Sequence, residues 1–422
     1  MKLAIISDTH FGDGSSVLFI PDNQGNPVIG PKYLDLKNAV GTDNDYLVLA
    51  GDILDFSVAP YEKAYQYAQA FFLCAQADNL AKEYIYLAGN HDADIWHIVQ
   101  HQRSVINKLL NGKLPESYQH SVPGIIDDRT GGCPATKGLT LYGVTPNAKG
   151  PKTYGGMFLD KIAPGATFNF VYPNLYIVTD NECVLVTHGQ YLEPYWAVLG
   201  EVATKIAGDD LKVGEMDVRE MVEINFPLNQ LGCTGIGQAG VLTRRLVRPV
   251  EVEVKAGKLD RVKKYLDRLG RANDDLTDYG WHKTFVFDYI LNQAKEEIID
   301  TIGKVKNTRY RDGFIYDRQV QDRFKRFYDA SLMELGAINA SPPFNAPKCG
   351  VPAPWRVIFG HTHQPIPWDD PSPPKLDAVS SASPKLLTLH NTGGWIEENG
   401  TFVGAEVFKY DTQNGFSSVR VP

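Results

Sequence analysis

The sequence predicts a layered α/β protein: a β-sandwich of two mixed sheets flanked by helices, interrupted by a large, mainly helical insertion. Three observations carry this reading. Five short apolar runs lack alternation and each ends in small or polar residues. The middle of the chain and its C-terminus have the texture of further strands, and a long stretch between them changes composition.

The five runs are Leu3–Ile6, Tyr46–Ala50, Tyr84–Ala88, Val184–Val186 and Val357–Phe359. Continuous apolar runs of this length suit strands buried on both faces. A helix is expected over Ala59–Glu83, entered at Pro60, with Tyr65, Ala68, Phe72 and Ala75 at helical spacing. A second is expected over Asp94–Gly112, with Asp94 as its cap and Gly112 at its end. Strand, helix, strand is the rhythm of a layered α/β protein. From Leu139 to Thr187 the pattern turns to β, and Asp180-Asn181 sits between two runs as a hairpin turn. Leu386–Leu389, Phe402–Tyr410 and Ser417–Val421 read as strands of a second sheet packed against the first.

Between about Tyr195 and Ala340 basic and acidic residues balance, whereas the rest of the chain is acidic. Phe287, Leu291, Ala294, Ile298, Ile302 and Val305 form one helical apolar stripe. Val320, Phe324, Phe327, Leu332 and Leu335 form another, expected to close at Gly336. The expected organisation is one domain built from residues 1–194 and 341–422, with residues 195–340 as a helical insertion or cap. It reads either as a structural cap or oligomer interface, or as a lid.

Composition narrows the class. The chain has 422 residues, 43% apolar and 22% charged, enough to bury a large core without staples. Its net charge of -8 argues against a general nucleic-acid binder. The five cysteines form no CxxC pair and read as reduced thiols of a cytoplasmic protein. The apolar run at the N-terminus is too short for a signal peptide. Ile224–Thr243 lacks charge but contains Pro227 and several glycines, so it reads as loop and no transmembrane segment is expected.

Chemistry concentrates where the five runs end. Asp8-Thr9-His10 follows the first, Gly51-Asp52 the second and Gly89-Asn90-His91-Asp92 the third. Thr187-His188-Gly189 follows the fourth and Gly360-His361-Thr362-His363 the fifth. Ligands of layered α/β proteins collect beyond the carboxyl ends of strands, so these five segments should converge. Carboxylate and amide oxygens with imidazole nitrogens suit divalent Mn, Fe or Zn. If the backbone is extended, alternate residues of Asp8-Thr9-His10 and of His361-Thr362-His363 point the same way, into one cleft.

These motifs, in this order, resemble the calcineurin-like metallophosphoesterase family. The resemblance implies a dinuclear metal-dependent hydrolase of phosphate esters or phosphoanhydrides. Asp8, His10 and His363 would hold one metal ion; Asn90, His188 and His361 would hold the other; Asp52 would bridge them. His91 would contact the phosphate or protonate the leaving group, and Asp92 would orient His91. Two adjacent cations can hold a bridging hydroxide for in-line attack on phosphorus and neutralise the transferring phosphoryl group. Gly51-Asp52-Ile53-Leu54-Asp55-Phe56, Gln364-Pro365 and Asn391-Thr392-Gly393-Gly394-Trp395 are similar to the UDP-2,3-diacylglucosamine pyrophosphatase branch, although His91 stands where that branch carries Arg and this chain is longer. The expected partner is a small phosphorylated substrate, with nucleotides and sugar-nucleotides among the candidates. A nuclease of the double-strand-break repair type, or a non-catalytic scaffold of the same fold, are the alternatives.

Other motifs have plainer readings. His97 and His101 lie one turn apart without a metalloprotease Glu and read as packing or solvated side chains. His390 is either a pocket residue or part of a turn in the second sheet. Gly235-Ile236-Gly237-Gln238-Ala239-Gly240 follows no clear strand, so a dinucleotide site is not expected. Arg244, Arg245 and Arg248 read as a solvated basic face.

Overall fold

The computed structural model describes residues 1–130, 138–141, 162–192, 218–229, 264, 314–341, 350–377, 386–398 and 400–422. The principal strands are β1 (Lys2–Ile6), β2 (Asn44–Ala50), β3 (Ala81–Leu87), β4 (Gly124–Asp127), β5 (Gly138–Leu141), β6 (Thr167–Val171), β7 (Asn174–Val178), β8 (Cys183–Thr187), β9 (Arg356–Phe359), β10 (Lys375–Asp377), β11 (Leu386–Asn391), β12 (Ala405–Asp411) and β13 (Gly415–Val421). The helices that matter below are α1 (Tyr33–Val40), α2 (Tyr61–Ala77), α3 (Ala93–His101), α4 (Val218–Asn229) and α5 (Arg318–Ala340).

Two large mixed sheets make the molecule a layered α/β protein. The first runs β13-β12-β1-β2-β3-β6 and the second β10-β11-β9-β8-β7-β4-β5. In the first, β1, β2, β3 and β6 are parallel neighbours. In the second, β8, β9 and β11 are parallel, while β7 joins β8 antiparallel through the Asp180-Asn181 turn. Leu3, Ile5, Val48, Ile85 and Leu87 of one sheet meet Leu175, Ile177, Val184, Val186 and Ile358 of the other in a core between the sheets. The alternate residues Ala4, Ile6, Leu47 and Leu49 face outward into a second core with Leu36 of α1 and Phe71 and Phe72 of α2. Burial on both faces is why these runs show no polar alternation.

Several local expectations are corrected. The C-terminal strands do not all join the second sheet: β12 pairs antiparallel with β1, Leu3 opposite Tyr410, and β13 pairs with β12. They cover the otherwise open edge of the parallel strands. The helix expected to Glu83 ends at Ala77, because Asn79 takes a left-handed φ of 53° and β3 begins at Ala81. The next helix starts at Ala93, not behind an Asp94 cap; Asp94 accepts a hydrogen bond from Tyr61 instead. It continues irregularly through Gln102–Ile106 and Asn107–Leu110 and stops at Gly112, φ 66°.

Of residues 195–340, α4 and α5 fall among the described residues. Ile224–Thr243 starts inside a helix rather than a loop, since α4 reaches Asn229 and includes Pro227. Gly336 lies within α5 and does not end it. The predicted α5 stripe is real: Val320, Phe324, Phe327 and Leu335 are buried. The stripe Phe287–Val305, the glycine motif at Gly235 and the arginines 244, 245 and 248 lie outside the described residues. Among the described residues no helix is long and apolar enough to cross a membrane.

Candidate metal centre

The loops after β1, β2, β3, β8 and β9 interlock through their backbones. Asp8 N–H donates to Gly51 O at 2.9 Å and His10 N–H to Asp52 O at 3.0 Å. Gly360 N–H donates to His188 O at 2.9 Å, and Trp395 N–H to Asp8 O at 2.9 Å. His91 N–H donates to Asp52 Oδ1 at 2.8 Å. The extended backbone expected for the paired motifs is overturned. Asp8 (φ 53°), His10 (46°), Asp52 (52°), His361 (67°) and His363 (54°) all take left-handed conformations. Such φ values are uncommon for non-glycine residues and cluster at functional sites. The loops turn sharply at each of these residues, so pleat alternation is not what aims the side chains.

Glycines make room for this closeness. A Cβ on Gly51 would fall 2.2 Å from His188 Nδ1, one on Gly89 2.2 Å from Asp52 Oδ1, and one on Gly360 2.2 Å from Asp8 Oδ2. Each of these positions tolerates only a hydrogen, which is why a glycine precedes or abuts each motif.

The nine predicted residues gather at one place, eight with side chains close to one another and Asp92 bonded to the backbone behind Asp52. Asp8, His10 and His363 form one group of potential ligands, and Asp52, His188 and His361 form another, the donor atoms of each lying within 4.8 Å of one another. His10 Nε2 is 3.2 Å from His363 Nε2, and His363 Nε2 is 3.3 Å from Asp8 Oδ1. His188 Nε2 is 3.2 Å from both Asp52 Oδ2 and Asn90 Oδ1. Asp52 Oδ2 is also 3.9 Å from His10 Nε2, so Asp52 stands between the groups. His91 adjoins them through the ring of His10, with centroids 4.8 Å apart.

The tautomers suit a cation. His188 Nδ1–H donates to Ala50 O at 2.9 Å and His10 Nδ1–H donates to Asp55 Oδ2 at 2.8 Å. Each Nε2 lone pair is thereby turned toward a carboxylate, an arrangement completed by positive charge between them. Protonation tells the same story. Burial lowers the affinity of His188 for a proton, but Asp52 overrides it and pushes the imidazole up to about 9. Burial raises Asp8, yet the hydrogen bonds of His10 and His363 hold its carboxyl well below the usual range. The pocket calls for positive charge beside Asp8 and Asp52, and a cation or a proton meets the need.

Asp92 does not orient His91. Its carboxylate accepts from the backbone N–H of Ile53 at 2.9 Å and of Gly89 at 2.6 Å, and from Tyr86 Oη at 2.5 Å. It therefore stitches the β2 loop to the β3 loop, and burial together with nearby Asp52 pushes it up to about 6. The group that holds His91 is Asp55: its Oδ2 lies 3.0 Å from His91 Nδ1, with Ser57 Oγ at 2.7 Å from the same nitrogen. Asp55 was legible as the second carboxylate of Gly51-Asp52-Ile53-Leu54-Asp55-Phe56, three residues after a ligand candidate. Asn391 was missed as a support: its Nδ2 donates to Gly360 O at 2.8 Å and Thr362 Oγ1 at 3.0 Å, bracing the paired-histidine turn.

His390 is a buried strand residue rather than part of a turn. It stacks on Trp368, donates from Nδ1 to Pro367 O at 2.9 Å, and is absent from the ligand groups. His97 and His101 stack on one another and contact Tyr118, as packing side chains do.

His/Asp clusters gathered at the strand ends of a two-sheet sandwich make a candidate metal site of a layered α/β protein. The family model of the calcineurin-like phosphoesterases matches residues 1–170. That segment contains Asp8, His10, Asp52, Asn90, His91 and Asp92; His188, His361 and His363 lie beyond it and are brought to it by the fold. No curated protein matches the chain.

Proposed function

We propose that this chain is a dinuclear metal-dependent hydrolase of phosphate esters or phosphoanhydrides. One observation carries the reading: two His/Asp donor groups lie side by side, the Asp52 carboxylate of one 3.2 Å from His188 Nε2 and 3.9 Å from His10 Nε2 of the other. In this reading Asp8, His10 and His363 would hold one ion and Asn90, His188 and His361 the other, with Asp52 available to both. The mixed nitrogen and oxygen donors favour Mn, Fe or Zn. Ions held by these residues would supply positive charge for the phosphoryl group and would lower the pKa of a water toward neutrality.

The protein's own groups do the rest. His91 is 20% exposed at its side chain, against 3% for His10 and 1% for His188, so it faces an arriving substrate. Asp55 fixes its Nδ1–H, which leaves Nε2 to contact the phosphate or pass a proton to the departing oxygen. Asp92 keeps the β2 and β3 loops together and so holds Asp52 and Asn90 in place. The substrate is a small phosphorylated molecule. Its finer identity as a sugar-nucleotide diphosphate is supported by the Asp52–Phe56 and Asn391–Trp395 motifs. Residues 195–340 serve as a lid or oligomer interface, and the acidic chain, with Cys74 and Cys183 as free thiols among the described residues, works in the cytoplasm.

The test is a metal-supplemented screen over phosphomonoesters, phosphodiesters, nucleotides and sugar-nucleotide diphosphates, with Asp52→Asn beside the wild type. The expected result is turnover of at least one generic aryl phosphate or phosphodiester by wild type and none by the variant. Equal activity in both removes Asp52 from the mechanism.

A further inference from the structure

Helix α5 closes the insertion, yet its apolar face is packed directly behind two of the ligand-bearing loops. Phe324, fully buried, meets Phe359 edge to face with ring centroids 5.7 Å apart. Phe359 is the last residue of β9, two before His361. Gly189 lies against the same ring, an ideal Cβ there coming 3.2 Å from Phe359 and 3.6 Å from the His361 Cβ. One turn along α5, Phe327 stacks on Tyr191 at 6.3 Å and 18°, three residues after His188. Tyr191 is in turn tied to Tyr172 by a hydroxyl pair at 2.6 Å.

Polar contacts anchor α5 farther from the ligands. Tyr328 Oη donates to Pro354 O at 2.7 Å, before the start of β9. Glu334 accepts from Ser121 Oγ at 2.7 Å and from Tyr176 Oη at 2.9 Å. The helix is thus pinned at its C-terminal half, while its Phe324–Phe327 turn presses on the loops of His188 and His361. Both of these belong to one ligand group. α5 also packs against α4 of the insertion, whose Val218 and Val222 join the same core as Phe324 and Phe327.

We propose that Phe324 and Phe327 are positioning residues for the Asp52/His188/His361 group, and that α5 couples the insertion to metal affinity. This rests on the metal-binding reading given above. Shortening either ring leaves a gap behind a loop whose left-handed backbone at His361 depends on its surroundings. The nitrogens then sample positions a cation cannot share, so metal affinity falls even where the fold survives.

The experiment titrates Mn²⁺ calorimetrically into metal-stripped, full-length wild type, Phe324→Leu, Phe327→Leu and Tyr328→Phe, with thermal melts of each metal-free protein. Both leucine variants are expected to bind Mn²⁺ at least fivefold more weakly, while Tyr328→Phe, which loosens the same helix away from the ligands, stays within fivefold of wild type. Leucine variants within fivefold of wild type overturn the proposal. So does Tyr328→Phe weakened as much as they are, since general destabilisation would then account for the effect. If a leucine variant gives no cooperative melt, Phe324→Met and Phe327→Met replace it with the same threshold. A wild type that takes up no Mn²⁺ overturns instead the metal reading beneath the proposal.

Discussion

The carboxylate of Asp55 holds His91 by its Nδ1 at 3.0 Å, and through the same Oδ2 it holds His10 at 2.8 Å. One buried oxygen therefore sets the tautomer of a metal-ligand candidate and of the candidate general acid. Its other oxygen accepts from Ser57 N–H at 2.9 Å and Val58 N–H at 3.1 Å, so it has no freedom to swing away.

This relationship predicts leaving-group dependence. His91→Asn should lower kcat by about 10²–10⁴-fold for alkyl phosphate leaving groups, the usual range for general acid catalysis. The loss should be far smaller for nitrophenolate, which departs without a proton. Asp55→Asn should show the same dependence, and the double variant should fall well short of the product of the two single effects. Steady-state kinetics on an alkyl and a nitrophenyl ester decide it; equal losses on both esters would remove the acid role.

Two glycines should respond in opposite directions to alanine. At Gly360 the new Cβ would overlap Asp8 Oδ2 and Ser7 Oγ, at 2.2 and 2.3 Å. Gly360→Ala should abolish Mn²⁺ binding and cost about 1–3 kcal/mol of stability through overpacking. Gly336 sits in the interior of α5 with nothing within 4 Å of its ideal Cβ. There alanine should stabilise by roughly 0.5–1 kcal/mol. Chemical denaturation of the two variants checks both signs.

Acid should loosen the Trp368 corner through His390. Burial, with Arg356 nearby, pushes this imidazole down to about 4, against the donated bond to Pro367 O and the charge of Asp370. The unfolded chain binds its proton near 6.5, the folded chain only near 4. The unfolded state therefore holds more protons between those values, and stability falls as pH drops through that window. The His390 contribution is complete above pH 6.5 and amounts to roughly 3 kcal/mol. His390→Phe keeps a ring against Trp368, so the difference in melting temperature between variant and wild type should shrink or reverse as pH falls from 6.5 to 4. A difference that is flat across that range would show that His390 does not titrate there.

Removing metal should be visible without substrate. Chelation should lower the melting temperature as well as activity, because a ligand bound only by the folded state stabilises it by mass action. Added Mn²⁺ should restore both in wild type, and neither in Asp52→Asn. Melting curves with and without chelator are the measurement.

Much of the site was readable because its chemistry is local. Asp, Asn and His immediately after buried apolar runs must sit at the same edge of a layered α/β fold, whatever the sheet order. What escaped were relationships between segments distant in the chain. The partner of His91 proved to be Asp55 rather than the adjacent Asp92, because a tight loop turns neighbouring side chains apart and brings a residue 36 positions earlier within hydrogen-bond distance. Periodicity likewise marked α5 as amphipathic but could not say which surface its stripe would cover.

The amino-acid sequence alone marked the buried strands β1, β2, β3, β8 and β9, the helix between β2 and β3, and the candidate donors at the strand ends, because burial on both faces and strand-end polarity are written in neighbouring residues. Tertiary structure alone decided which sheet β12 and β13 extend, which carboxylate holds His91, and that α5 packs behind the ligand loops. Those outcomes depend on contacts whose partners lie far apart in the chain, and only the packed sandwich brings them together.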